Sequence, residues 1–133
     1  MKAVVDTNVL ISGIFFGGIP QRILEAWVDG RFELCLSSSI FDEYVRVCDR
    51  IAATRPSLEY RELLASIVGH SNLIPDEVSD TPITADPDND KFMLCARTAG
   101  AIVISGDRHL LDANGWGGVV VRTPRDFLSD LGQ

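Results

Sequence analysis

Met1-Lys2-Ala3-Val4-Val5-Asp6-Thr7-Asn8 opens the chain, a short apolar run cut off by a carboxylate. Ala3-Val4-Val5 lacks period-two alternation, as expected for a strand buried on both faces of a parallel sheet. Asp6 then falls at the strand's carboxyl end, just before Val9-Leu10-Ile11. In open parallel α/β sheets that edge is where ligands bind, in the crevice between neighbouring strands. Asp6 is therefore read as the centre of an acidic site, and the rest of the chain is searched for carboxylates that reach it.

The same pattern recurs downstream. Ala101-Ile102-Val103-Ile104 is a second strand of the doubly buried kind, ending in Ser105-Gly106-Asp107. Between the two, Phe32-Glu33-Leu34-Cys35-Leu36 and Asn72-Leu73-Ile74-Pro75 read as strands, Pro75 marking the latter as an edge or its end. Val119-Val120-Val121 supplies the fifth. Helices are expected from Pro20 to about Val28, after the Ser37-Ser38-Ser39 caps, from about Leu58 to Val68 behind Pro56-Ser57, and from Asn89 to Ala99 with Gly100 at its end. A short turn at His109-Leu110-Leu111 and a last helix capped at Thr123-Pro124 complete the list. Gly13 to Gly18 reads as a loop whose Ile14, Phe15 and Phe16 are either core or an exposed docking surface. Asp76 to Asp90 reads as a polar loop punctuated by Pro82 and Pro87.

Alternating strands and helices call for a three-layer α/β/α sandwich around a parallel sheet of four to five strands, order 3-2-1-4-5. The 133 residues make one domain, spanning 1–133. A composition of 46% hydrophobic and 23% charged residues is that of a globular chain and argues against disorder. The apolar runs fall short of a membrane span and no signal peptide opens the chain, so the expectation is a cytoplasmic protein with no membrane partner. Cys35, Cys48 and Cys95 are odd in number, widely spaced and set among apolar residues, which suits small buried hydrophobes rather than a zinc or redox site. The net charge of −7 is a mild objection to a nucleic-acid substrate. Metal-holding carboxylates would answer it, because bound cations reverse the local field.

Topology gathers four acids. Asp6 ends strand one, Glu43 lies near the start of the helix after strand two, Asp90 opens the helix before strand four, and Asp107 follows that strand. All four are predicted at one sheet edge. Carboxylates that converge repel unless a cation offsets them or one takes a proton. Hard divalent ions such as Mg²⁺ and Mn²⁺ suit such oxygen donors, and can activate water and stabilise a phosphodiester transition state. No His–Ser or His–Cys pair suggests acyl transfer.

With these residues in view the sequence resembles the PIN-domain ribonucleases, the fold of many VapC-like toxins of bacterial toxin–antitoxin systems. The resemblance rests on Asp6-Thr7-Asn8, Glu43 in the Ser37 helix, Asp86-Pro87-Asp88-Asn89-Asp90-Lys91-Phe92, and Ser105-Gly106-Asp107 before Leu110-Leu111. It implies a metal-dependent endoribonuclease acting on single-stranded RNA, with Asp6, Glu43, Asp90 and Asp107 holding Mg²⁺ or Mn²⁺. It also implies that Asn8 and Ser105 orient carboxylates or water, with Asp88 an outer candidate. Homodimers and an antitoxin covering the groove are further implied. Two positions depart from the family pattern: Ser105 stands where Thr is common, and Asn89 where Asp is frequent.

Other readings compete. Asp107 can serve only a turn, Glu43 can be a solvated helix residue, and Asn8 can be a cap. Arg97 and Arg108 can reach phosphates or simply face water, while His70 and His109 read as surface residues and Trp27 and Trp116 as packing anchors. An aspartate-based phosphohydrolase needs a second Asp where the chain has Asn8, and a late lysine, whereas the only lysines are Lys2 and Lys91. The remaining alternative is a catalytically degenerate PIN domain that binds RNA or protein.

Overall fold

The computed structural model describes residues 1–54 and 59–132. Five strands, β1 (Lys2–Val5), β2 (Glu33–Leu36), β3 (Asn72–Leu73), β4 (Ile102–Ile104) and β5 (Val121–Arg122), form one sheet in the order β3-β2-β1-β4-β5. Every neighbouring pair is parallel. Helices flank the sheet to give the α/β/α sandwich expected from the sequence. They are α1 (Thr7–Phe15), α2 (Gly18–Val28), α3 (Ser38–Ala52), α4 (Arg61–His70), α5 (Asp90–Ala99), α6 (Arg108–Asp112) and α7 (Pro124–Asp130).

β1 is central and its three apolar residues are fully buried, which is why its sequence does not alternate. α5 lies across β1, β2 and β4 and carries its own continuous buried run, Phe92 to Ala96. Gly100 ends it in the left-handed conformation, φ 67°. β3 is the sheet edge, consistent with Pro75 just beyond it. Cys35, Cys48 and Cys95 are free and buried, and burial pushes the Cys48 thiol up to about 11 and the Cys95 thiol up to about 12. Thiols held protonated in this way are poor nucleophiles and metal ligands.

The first connection differs from the sequence expectation. Gly13, Ile14 and Phe15 are not loop: α1 continues through them. Gly13 is there for packing, since a Cβ at that position would lie 2.8 Å from both Leu24 Cδ1 and the Pro20 carbonyl of α2. The turn itself is made by Gly17 and Gly18, at φ 79° and 71°. The aromatic pair then divides, Phe15 joining the core and Phe16 standing 57% exposed.

Other differences are shifts of boundary. α4 runs two residues past Val68, and its expected beginning at Pro56-Ser57 and Leu58 lies outside the described residues. The fifth strand is Val121–Arg122 rather than Val119–Val121, and the polar loop contains a short 3₁₀ turn at Pro87–Asn89. Among the described residues no single helix is long and apolar enough to cross a membrane.

The last helix belongs to the core. Thr123 caps α7 by accepting from the Asp126 N–H at 3.1 Å, and Pro124 occupies its first turn. Phe127, fully buried, meets Phe32 edge to face with centroids 5.2 Å apart. Phe127→Ala is expected to cost about 3–5 kcal/mol, the usual range for a deleted core aromatic. Thermal unfolding checks this; an unchanged midpoint would show that α7 is a dispensable appendage.

Candidate functional site

Asp6 is where the central strand becomes a helix. Its N–H donates to the Ile104 carbonyl at 3.0 Å, the last rung toward β4, and its own carbonyl accepts from Val9 and Leu10 at 3.0 and 3.1 Å. Asp6 thus stands at the N-cap position of α1, yet its side chain makes no capping bond. The carboxylate goes to the neighbouring strand end instead, where Oδ2 accepts from the Ser105 hydroxyl at 2.7 Å. That hydroxyl in turn accepts from the Asp107 N–H at 2.9 Å. Asp6 is 4% exposed and Ser105 fully buried, so this chain of bonds joins the ends of β1 and β4 with little exposure to water.

Asp107 caps α6. Its Oδ1 accepts from the backbone N–H groups of His109 at 2.8 Å and Leu110 at 3.3 Å, and from the Asn89 side-chain amide at 3.3 Å. Among the described residues Oδ2 accepts no hydrogen bond. The turn-initiating role weighed against a site role for Asp107 is therefore present, and it leaves one oxygen open.

Glu43 reaches the same edge from α3. Ser37 caps that helix, and Tyr44, fully buried, donates its hydroxyl to the carbonyl of Val5, the residue before Asp6. This bond fixes α3 against the end of β1. Glu43 Oε2 accepts from the Thr7 hydroxyl, while Oε1 lies 2.7 Å from Lys91 Nζ and 3.7 Å from an Arg46 nitrogen. Arg46 is 67% exposed, so its pairing is screened and weak. Lys91 is not, at 21%, and is the main partner.

The acidic run sorts itself unexpectedly. Asp90 Oδ1 accepts from both the N–H and the hydroxyl of Thr84 at 2.9 Å, and Oδ2 from the Ile83 N–H at 3.3 Å, tying the preceding loop to the start of α5. The side chain that extends from this run to Asp107 is the Asn89 amide. Asp88 is exposed, and its carbonyl accepts from Lys91 Nζ. Asn8 is exposed and lines the cleft. Thr7 and Lys91 were not singled out from the sequence; a hydroxyl and an ammonium beside four acids carried a signal only in their proximity to Asp6 and Asp90.

Burial drives the Asp6 pKa above its ordinary value, the Ser105 hydrogen bond works against that, and Asp107 and then Glu43 add to the rise. A buried acid raised by desolvation and by other acids, at the floor of a cleft, is the arrangement expected of a functional group. The cleft has a volume of about 520 Å³ and is lined by Asp6, Asn8, Ser12, Asp107 and Arg108 among others. Among the described residues no three carboxylate, imidazole or thiol side chains converge closely enough to enclose a metal ion. Two carboxylates facing a water-accessible cleft do fit Mg²⁺, which keeps several waters and is commonly bound through one or two carboxylates. Asp6 and the open oxygen of Asp107 supply that pair.

Comparison with known proteins places the fold. A family model described as PIN domain matches residues 2–109. An uncharacterised protein of Methanocaldococcus jannaschii is 27% identical, over 98% of this chain and 92% of its own length. Among solved structures, VapBC2 from Rickettsia felis, bound to a DNA fragment from its promoter, is similar in fold, with a TM-score of 0.55 at 10% identity. That match covers 92% of this chain and 98% of the other. The family model takes in β1, α3, α5 and β4, hence Asp6, Glu43, Asn89 and Asp107 together, and the chain belongs to the PIN domain family.

Proposed function

We propose that the chain is an endoribonuclease that cleaves single-stranded RNA with a divalent metal, Mg²⁺ or Mn²⁺, and that it acts as the toxin of a toxin–antitoxin pair. The observation that carries this is the buried Asp6 carboxylate, raised by its own burial and by Asp107 and Glu43, at the carboxyl end of the central parallel strand. Membership of the PIN family supports a nuclease, and the likeness in fold to VapBC2 supports a partner protein.

Asp6 and Asp107 would hold the ion, which supplies an activated water and a counter-charge for the phosphodiester transition state. Ser105 keeps the Asp6 carboxylate aimed across the strand ends, and Asn89 and the α6 backbone hold Asp107 with one oxygen outward. Arg108 lines the cleft beside Asp107 and offers a guanidinium to the phosphate backbone of a bound strand. With a net charge of −7, such local cations matter more than any general basic footprint.

A binding module without catalysis is the second reading. It is favoured by the amide at Asn89 and by the occupation of Glu43 by Lys91 and Thr7. Cleavage decides between the two. Labelled RNAs are expected to be cut with Mg²⁺ or Mn²⁺, not with EDTA, and the rate to fall at least about 100-fold in Asp6→Asn and Asp107→Asn, since the ion contributes several kcal/mol. Metal-independent cutting, or no cutting of any RNA alongside tight RNA binding, would favour the second reading.

Stability gives a separate check on Asp6. A carboxyl whose folded pKa is raised above 3.8 favours the folded state below that pH, and loses this contribution as pH rises through the folded pKa. Asp6→Asn is therefore expected to be more stable than the parent chain near neutrality, with the advantage vanishing as the pH is brought down to 3.8. Urea unfolding across that range measures it. A variant less stable at neutral pH would mean that the charge is compensated by something other than Ser105.

A further inference from the structure

Lys91 is one of only two lysines in the chain, and it is held inside the acidic edge. Its ammonium lies 2.7 Å from Glu43 Oε1, donates to the Asp88 carbonyl, and sits 5.1 Å from the centroid of the Phe92 ring. Glu43 is 16% exposed, and its other oxygen is taken by the Thr7 hydroxyl. Both oxygens of Glu43 are thus engaged. Asn89 gives Asp107 a hydrogen-bond donor without adding a negative charge.

We propose that Lys91 is a built-in counter-cation that withdraws Glu43 from metal coordination, leaving a site for one divalent ion on Asp6 and Asp107. The proposal rests on the nuclease reading and specifies how its site is loaded. An ammonium in contact with a half-buried carboxylate offsets the charge a second metal ion would otherwise neutralise, and it is screened less than a surface pair. For Glu43 to become a ligand the pair must open, and the freed ammonium would then stand beside a divalent cation of like sign. Lys91 is accordingly a positioning residue, acting through Glu43.

Calorimetric titration of Mn²⁺ into the full chain tests this, with circular dichroism confirming that each variant is folded. Wild type and Lys91→Arg are expected to bind one ion, and Lys91→Met to bind two, or one at least about tenfold more tightly, a gain of about 1.4 kcal/mol. Adding Glu43→Gln to Lys91→Met should return the wild-type isotherm, because the gain runs through the released carboxylate. Glu43→Gln alone should keep the single ion, and this holds as a test even where Lys91→Met does not fold. A Lys91→Met isotherm equal to wild type overturns the proposal, as does a gain that survives in the double variant or loss of the ion in Glu43→Gln. If wild type takes up no Mn²⁺, or Asp6→Asn takes it up equally, the nuclease reading itself falls and this inference with it.

Discussion

The Asp6 carboxylate is buried where the central strand passes into a helix, and the hydroxyl of Ser105 is what makes that burial tolerable. An ionised carboxylate removed from water without partners costs far more than a small domain can bear, so it must be hydrogen-bonded, protonated or offset by a cation. Ser105 provides one bond and hands the constraint on to the Asp107 backbone. The ends of β1 and β4, adjacent in the sheet but 99 residues apart in sequence, are thereby held in one arrangement.

Much of the surrounding architecture follows from keeping that junction fixed. Tyr44 anchors α3 to the carbonyl before Asp6, and Asp90 secures the loop that enters α5. These two bonds set Glu43 beside Thr7 and Asn89 beside Asp107, without either being a free side chain. The result is an acidic site in which each member is already oriented by a neighbour. Such pre-orientation is what a metal or a phosphate needs from a protein, since it leaves little to reorganise on binding.

The sheet order and the gathering of Asp6, Glu43 and Asp107 at one edge were legible in the sequence, because doubly buried strands betray themselves by unbroken apolar runs and parallel topology does the rest. Two things were not. Gly13 looked like a turn residue beside Gly17 and Gly18, yet it serves a close approach of α1 to α2 that only the packed structure displays. Within Asp86 to Asp90, the direction of each side chain depends on a 3₁₀ turn feeding α5, so that Asn89 bonds Asp107 while Asp90 bonds Ile83 and Thr84. Linear spacing does not contain that angle. The capping bonds of Asp107 show the same limit in another form, since a cap and a ligand call for the same residue type at the same place.

Asp6 and Asp107 are the proposed seat of a divalent ion. Diffraction from crystals grown with Mn²⁺, collected at a wavelength where manganese scatters anomalously, would locate that ion. An anomalous peak is expected in the cleft, in contact with the carboxylates of Asp6 and Asp107 and absent from Asp6→Asn crystals. A cleft without a peak at saturating Mn²⁺, or a peak placed at Asp86 and Asp88 instead, would contradict it.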